Sequence, residues 1–176
     1  LHRKVNTNNV VNDELRVVSV SNLLETKGIE YNLYALRAVA DQYPGLTYRI
    51  IGKGPDRQRL ESIVRKLVLN NRVEFMGEVG FDAAVSEIAQ ADFFSLPSYR
   101  EGFGLVYLEA MTLEIPAIGC RGQGINDVIE HGVNGFLVEP QNIDHLVEIW
   151  KTILSDAELR ESIGQTARQS VKDSFS

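Results

Sequence analysis

"TYRIIGKGPDRQRLESIVRKLVLNNRVEFM", residues 47–76, decides the fold. Its two ends, TYRII (47–51) and RVEFM (72–76), are short and rich in β-branched and aromatic residues. They show little alternation of polar with apolar, as strands buried on both faces of a parallel sheet do. Between them Leu60, Ile63, Val64 and Leu67 fall at i, i+3, i+4 and i+7, which is one face of a helix. A strand, a glycine-containing turn, a helix and a second strand make one parallel crossover unit.

The same alternation continues outward in both directions. RVVSV (16–20), DFFSL (92–96), PAIG (116–119) and FLV (136–138) supply the remaining strands. Leu33, Leu36, Val39 and Tyr43 mark a helical face, as do Leu146, Ile149, Trp150 and Ile153, and again Leu159, Ile163 and Ala167. These stripes predict core, not a cofactor site. The fold class is therefore α/β, a doubly wound, Rossmann-like three-layer domain with a mainly parallel sheet. Residues 1–13, LHRKVNTNNVVND, are polar and Asn-rich and predict a linker or frayed end, leaving 14–176 as the folded domain. The chain of 176 residues suits one domain with one sizeable core. It opens on Leu1 with no signal-like segment and reads as a piece of something longer.

Composition narrows the function. A net charge of -6 argues against non-specific nucleic-acid binding, which needs a basic face. No apolar run approaches the roughly 18 residues that a membrane span requires. Cys120 is the single cysteine, so an intrachain disulfide is ruled out and a reducing, cytoplasmic compartment is expected. His2, His131 and His145 stand far apart without metal-ligand spacing, so no metal is expected.

Glycine pairs at 52/54, 102/104 and 122/124 follow predicted strands. In a parallel sheet these loops gather on one rim, where open α/β sheets bind ligands. One glycine per turn would satisfy turn geometry alone; pairs predict a ligand that the backbone approaches closely. GKGPDR (52–57) lacks the third glycine of a dinucleotide fingerprint and follows the second strand, not the first. No Gly-Lys-Ser/Thr phosphate loop occurs, and the first loop, VSNLLETKG, lacks the acidic residues of a phospho-receiver.

SYREGFGLVYLEA (98–110) sets two carboxylates around a glycine turn that opens a helical run. The helix start after Gly104 offers unpaired amides and a partial positive charge to a diphosphate. Lys27, at the end of the first loop, adds a full charge. Glu109, in the second turn, reaches the ribose of a nucleotide, and Glu101, before the turn, reaches a transferred sugar; carboxylates accept hydrogen bonds from diols well. A helix-terminal charge for Glu101 and a solvated helix face for Glu109 remain open as plainer roles.

PSYREGFGLVYLEAM together with IPAIGCRGQGINDVIEHGVNGFLV resembles the C-terminal, donor-binding half of retaining nucleotide-sugar glycosyltransferases of family 4. Two glutamates separated by seven residues, with Gly-Phe-Gly after the first, carry the likeness. It extends through KG at 27–28, GKGP at 52–55 and AD…LPS at 91–98, over about residues 16–175. The resemblance implies one half of a GT-B-type enzyme, two facing Rossmann-like domains with the active site in the cleft between them. It implies Glu101 as the catalytic residue near the reacting carbon and Glu109 on the ribose. Backbone at Gly102, Phe103, Gly104 and Leu105 would meet sugar and diphosphate, with Lys27 on the phosphates and Gly124 keeping its loop close to the donor. Met76, Gly77 and Glu78 would border the base.

The implied substrate is a UDP- or GDP-linked sugar, with no cofactor and no metal. The acceptor, a saccharide or lipid-linked molecule, would belong to an N-terminal half that is absent from this sequence, as would any peripheral membrane association. Alone, the fragment is expected to bind donor but turn over little. Surface polysaccharide or glycolipid synthesis at the inner face of a bacterial membrane is the implied setting. Three positions depart from the family pattern. Asn22 stands where arginine is common, removing one cation, and Arg121 is a candidate replacement. Glu114 replaces a usual glycine in a turn, and Asp127 a glutamate at the start of the next helix. A non-catalytic nucleotide-binding module or a nucleotide-sugar epimerase of the same architecture are the alternatives.

Overall fold

Six strands form a single sheet in the computed structural model, which describes residue 11 and residues 13–175. They are β1 (Arg16–Val20), β2 (Thr47–Ile51), β3 (Val73–Gly77), β4 (Phe93–Ser95), β5 (Ala117–Cys120) and β6 (Phe136–Val138). The order is β3-β2-β1-β4-β5-β6 and every neighbouring pair is parallel. All six predicted strands are present, two displaced by one residue and β4 shortened to three. Most of the predicted 1–13 linker lies outside the described residues.

The helices are α1 (Ile29–Val39), α2 (Arg57–Lys66), α3 (Phe81–Ala89), α4 (Leu105–Thr112), α5 (Ile143–Ser155) and α6 (Ala157–Phe175). α1 packs between α2 and α5, while α4 packs between α3 and α6. Helices thus cover both faces, and strands with no solvent-facing side can be apolar throughout, as β4, β5 and β6 are fully buried. The predicted stripes are core: Leu33, Leu36, Leu60, Leu146, Trp150 and Ala167 are each excluded from solvent. Between β5 and β6 the chain makes only a 3-10 turn, Gly124–Asp127, so the helix expected to start at Asp127 does not form.

One polar cluster lies inside this apolar core. Ser19 (β1), Asn32 (α1), Tyr48 (β2) and Ser95 (β4) are fully buried. Asn32 Nδ2 donates to Tyr48 OH and to the Ser95 carbonyl, both at 2.9 Å, and Ser95 Oγ donates to Asn32 Oδ1 at 2.6 Å. The indole of Trp150 donates to Ser95 Oγ at 3.4 Å and meets Phe93 edge-on at 5.1 Å. Burial raises the Tyr48 phenol far above its usual range, so it stays neutral. Buried polar groups satisfied in this way fix one relative placement of the strands and helices they join.

Candidate functional site

The strand order reverses direction at β1 and β4, and the loops leaving their C-terminal ends open the crevice where such sheets bind ligands. The loop after β1 ends in a 3-10 turn, Glu25–Lys27, closed by Gly28 at φ 75°. A Cβ on Gly28 would stand 2.3 Å from the Pro97 carbonyl oxygen, so the turn sits directly on the loop after β4. Tyr99 N (3.1 Å) and Ser98 Oγ (3.2 Å) both donate to the Thr26 carbonyl and fasten the two loops.

This seating places Lys27 against Glu101. The ammonium donates to Glu101 Oε2 at 2.8 Å, with only 17% and 14% of the two side chains exposed. Sequence reading put Lys27 on the phosphates and Glu101 on the sugar, as separate elements; the structure joins them in one ion pair. Lys27 and Glu101 are 74 positions apart, and the contact follows from the adjacency of β1 and β4.

The loop after β5 holds the other side of the turn. Glu101 N donates to Gln123 Oε1 at 2.8 Å. A Cβ on Gly124 would fall 2.1 Å from the Gly102 carbonyl oxygen, so the two backbones touch here. Gly104 adopts φ 72°, ψ 56° and starts α4, with Tyr107 packed beneath it. Tyr107 OH donates to the Leu96 carbonyl at 2.6 Å, and burial, with the nearby Glu101 charge, pushes its pKa well up.

No side chain caps α4. Among the described residues the amides of Gly102, Phe103, Gly104, Leu105 and Val106 have no hydrogen-bond partner. Gly102 has open space around it and no positive φ, so the fold itself does not demand glycine there. The Phe103 and Leu105 side chains are exposed, and Phe103 meets Phe175 edge-on at 6.3 Å. Glu109 lies in the second turn of α4, half-buried, and among the described residues its carboxylate makes no hydrogen bond or ion pair.

Met76, Gly77 and Glu78 lie on the same rim, at the end of β3, the edge strand. Gly77 takes φ 71° and its carbonyl accepts from Gly52 N at 2.8 Å. Glu78 is exposed and pairs with Lys53 at 2.7 Å.

Several expectations need correction. Arg121, the candidate replacement cation, pairs its Nε with Glu139 Oε1 at 2.7 Å on the surface. The 52/54 glycine pair serves packing, since Cβ atoms there would stand 1.7 Å from Ser21 O and 2.4 Å from Leu23 O. Glu114 sits at φ 62°, which explains why a glycine suits that turn. Asn22 and Asp127 are exposed. Gln123 was not predicted; its position between Gly122 and Gly124 is the one hint the sequence offers. Among the described residues no group of three or more His, Cys, Asp or Glu side chains is placed to hold a metal. No helix among them is long and apolar enough to cross a membrane.

An all-parallel sheet in this order, covered by helices on both faces, is the Rossmann-like fold of GT-B glycosyltransferase structures. Residues 3–170 match the family described as glycosyl transferases group 1, and the chain belongs to it. It is 37% identical over 145 residues to the sulfoquinovosyl transferase SQD2 of Arabidopsis thaliana, covering 81% of this chain and 28% of that protein. The Anabaena protein Alr3699/HepE, solved with UDP and glucose, superposes with a TM-score of 0.85 at 27% identity over 92% of this chain and 44% of its own. The C-terminal domain of the group 1 glycosyl transferase LpcC from Francisella tularensis superposes with a TM-score of 0.82 at 25% identity, over 94% and 88% of the two chains. The chain spans less than half the length of the curated relatives it matches first.

Proposed function

We propose that this chain is the donor-binding half of a retaining, family 4 glycosyltransferase that moves a hexose-type sugar from a UDP- or GDP-linked donor. The observation that carries the reading is the convergence, at the switch point, of Lys27, Glu101 and the uncapped start of α4. A diphosphate there would meet a cation and a run of free amides. Electrostatic stabilisation of the departing diphosphate is then the protein's main contribution to the reaction. Glu109, unpaired one turn along α4, takes the ribose hydroxyls, and Glu101 the sugar at the reacting end, with the backbone of Gly102 to Leu105 between them. The rim at Met76, Gly77 and Glu78 borders the base. HepE, a relative solved with UDP and glucose, supports a donor of this class.

The acceptor, a saccharide or a lipid-linked molecule, is bound by the partner half of the intact enzyme, working in the cytoplasm at the inner membrane face in surface polysaccharide or glycolipid synthesis. No metal or cofactor enters the scheme. Asn22, which leaves the site one cation short of the family pattern, favours one other reading, a nucleotide-binding module without transfer activity. Calorimetric titration of the chain with UDP, GDP and their glucose esters tests the proposal. One nucleotide pair binds, and Glu109→Ala weakens it about tenfold, since one charged hydrogen bond of about 1.4 kcal/mol is a decade in affinity. An unchanged affinity removes the ribose role, and the absence of any binding removes the reading. Transfer by the intact enzyme separates it from the inactive module.

A further inference from the structure

We infer that Glu101 competes with the diphosphate for Lys27, so that the site holds a sugar-bearing donor more firmly than the nucleoside diphosphate left after transfer. The inference rests on the nucleotide-sugar reading above and adds a specificity device to it. Three observations carry it. The Lys27–Glu101 contact is short, 2.8 Å, and both side chains are mostly withdrawn from water, so a phosphate draws on the ammonium against the attraction of a nearby carboxylate. Among the described residues neither group has a second side-chain partner. The main chain at Glu101 is anchored independently, by the 2.8 Å bond from its amide to Gln123 Oε1 and by the Gly124 contact with Gly102 O. The carboxylate can therefore change partner by side-chain rotation while the turn stays in place.

The competition has a direction. When a donor carrying a sugar enters, its hydroxyls donate to Glu101 in place of the ammonium, and Lys27 turns to the phosphates; every half-buried charge keeps a partner. A nucleoside diphosphate brings no such hydroxyls. If Lys27 then turns to the phosphates, Glu101 is left as an unpaired carboxylate beside an anion. If the pair persists, the phosphates share their cation with a carboxylate that repels them. Either outcome weakens the product relative to the donor and favours its release after transfer.

Calorimetry on the 176-residue chain tests this with the nucleoside diphosphate and its glucose ester of the base that the wild type binds. Glu101→Gln removes the charge with little change of shape. It should tighten the nucleoside diphosphate about three- to tenfold, the range expected for releasing a partly buried ion pair, without tightening the sugar ester. Glu25→Gln neutralises an exposed carboxylate on the same 3-10 turn and controls for net charge; it should change neither affinity by more than about 1.5-fold, as screening of exposed charges predicts. Glu101→Asp keeps the charge but shortens its reach, and should move the product affinity in the same direction as Glu101→Gln, which also covers the case in which one variant fails to fold. Unchanged or weaker product binding in Glu101→Gln overturns the inference alone, as does an equal gain in Glu25→Gln or a parallel gain for the sugar ester. A folded wild type that binds neither nucleotide overturns the underlying reading as well.

Discussion

Replacing Gly124 by alanine tests the claim that the loop after β5 braces the Glu101 turn. The added methyl would lie 2.1 Å from the Gly102 carbonyl oxygen, 3.1 Å from its carbon and 3.3 Å from Phe103 Cα. All three are backbone atoms, so no side chain can rotate out of the way. Relieving the closest contact needs roughly 1 Å of separation between two main-chain segments, because the attraction between packed atoms turns steeply repulsive inside about 3 Å. Overpacking of this kind costs about 1–3 kcal/mol. The same displacement stretches the 2.8 Å bond from Glu101 N to Gln123, with about 1 kcal/mol more at stake. At about 2–4 °C per kcal/mol for a chain of this size, melting should fall by about 4–16 °C. Because the moving segment also carries the amides proposed to meet the diphosphate, nucleotide affinity should drop at least tenfold, about 1.4 kcal/mol. Differential scanning calorimetry and isothermal titration read the two effects. A melting temperature within about 2 °C of wild type, in a 176-residue chain, would refute the packing argument whatever the binding result.

Gly102→Ala should behave in the opposite way: with nothing within 4 Å and no positive φ, it should leave the melting temperature unchanged or slightly higher, yet weaken nucleotide binding if the ligand approaches this backbone. Loss of stability in that variant would show that the fold, not a ligand, requires the glycine. Burial pushes the Cys120 thiol up to about 11, so the native protein should resist alkylation at pH 8 and react at once in denaturant; rapid native labelling would show the end of β5 to be open. His131 has its pKa lowered, chiefly by burial and then by Arg121 and His145, against a smaller opposing effect of Glu139. A lowered native pKa means that the unfolded chain takes up this proton more readily, so the contribution to stability is full above pH 6.5 and is lost as pH falls through that value toward the native pKa. His131→Asn keeps an acceptor for Leu137 N, now bonded to His131 Nδ1 at 2.9 Å, and should flatten the rise of the urea midpoint between about pH 5 and 7. Equal slopes in the two proteins would refute the assignment.

The extent to which the sequence foretold this molecule follows the range of the forces involved. Strands and helices were legible because periodicity is local: TYRII, RVVSV and FLV are strands at the expected residues, and Leu146, Ile149, Trp150 and Ile153 form the buried face of α5. The position of Glu109 in the second turn of α4 also followed, because it depends on its own segment, whereas the contact of Gly124 with the 102–103 turn joins two loops and was not foreseen. The ion pair between Lys27 and Glu101 did not, since it needs β1 and β4 to be neighbours, and only the sheet order establishes that. Nor did the role of Gly52 and Gly54, because a glycine admitting a ligand and one admitting the next loop look alike in one dimension. Asn32 was hidden for a related reason: a lone asparagine in a helical stripe reveals its partners, Tyr48 and Ser95, only when three strands are assembled around it.

That buried cluster bears on why the site can be built from loops and still hold a defined geometry. Ser19 and Ser95 lie near the C-terminal ends of β1 and β4, the strands whose loops deliver Lys27 and Glu101. Asn32, in the first turn of α1, spans both by donating to Ser19 Oγ and to the Ser95 carbonyl. The start of α1 is thereby held against the strand ends, and α1 begins at Gly28, the residue that follows Lys27 and rests on Pro97. On the other side Tyr107 ties α4 to the Leu96 carbonyl, one residue beyond β4. Each loop that meets at the switch point is thus bonded at its base to the core, and only short spans remain free to move. Placement set in this way is the condition under which fixed charges and amides stabilise a departing anion without first having to reorganise.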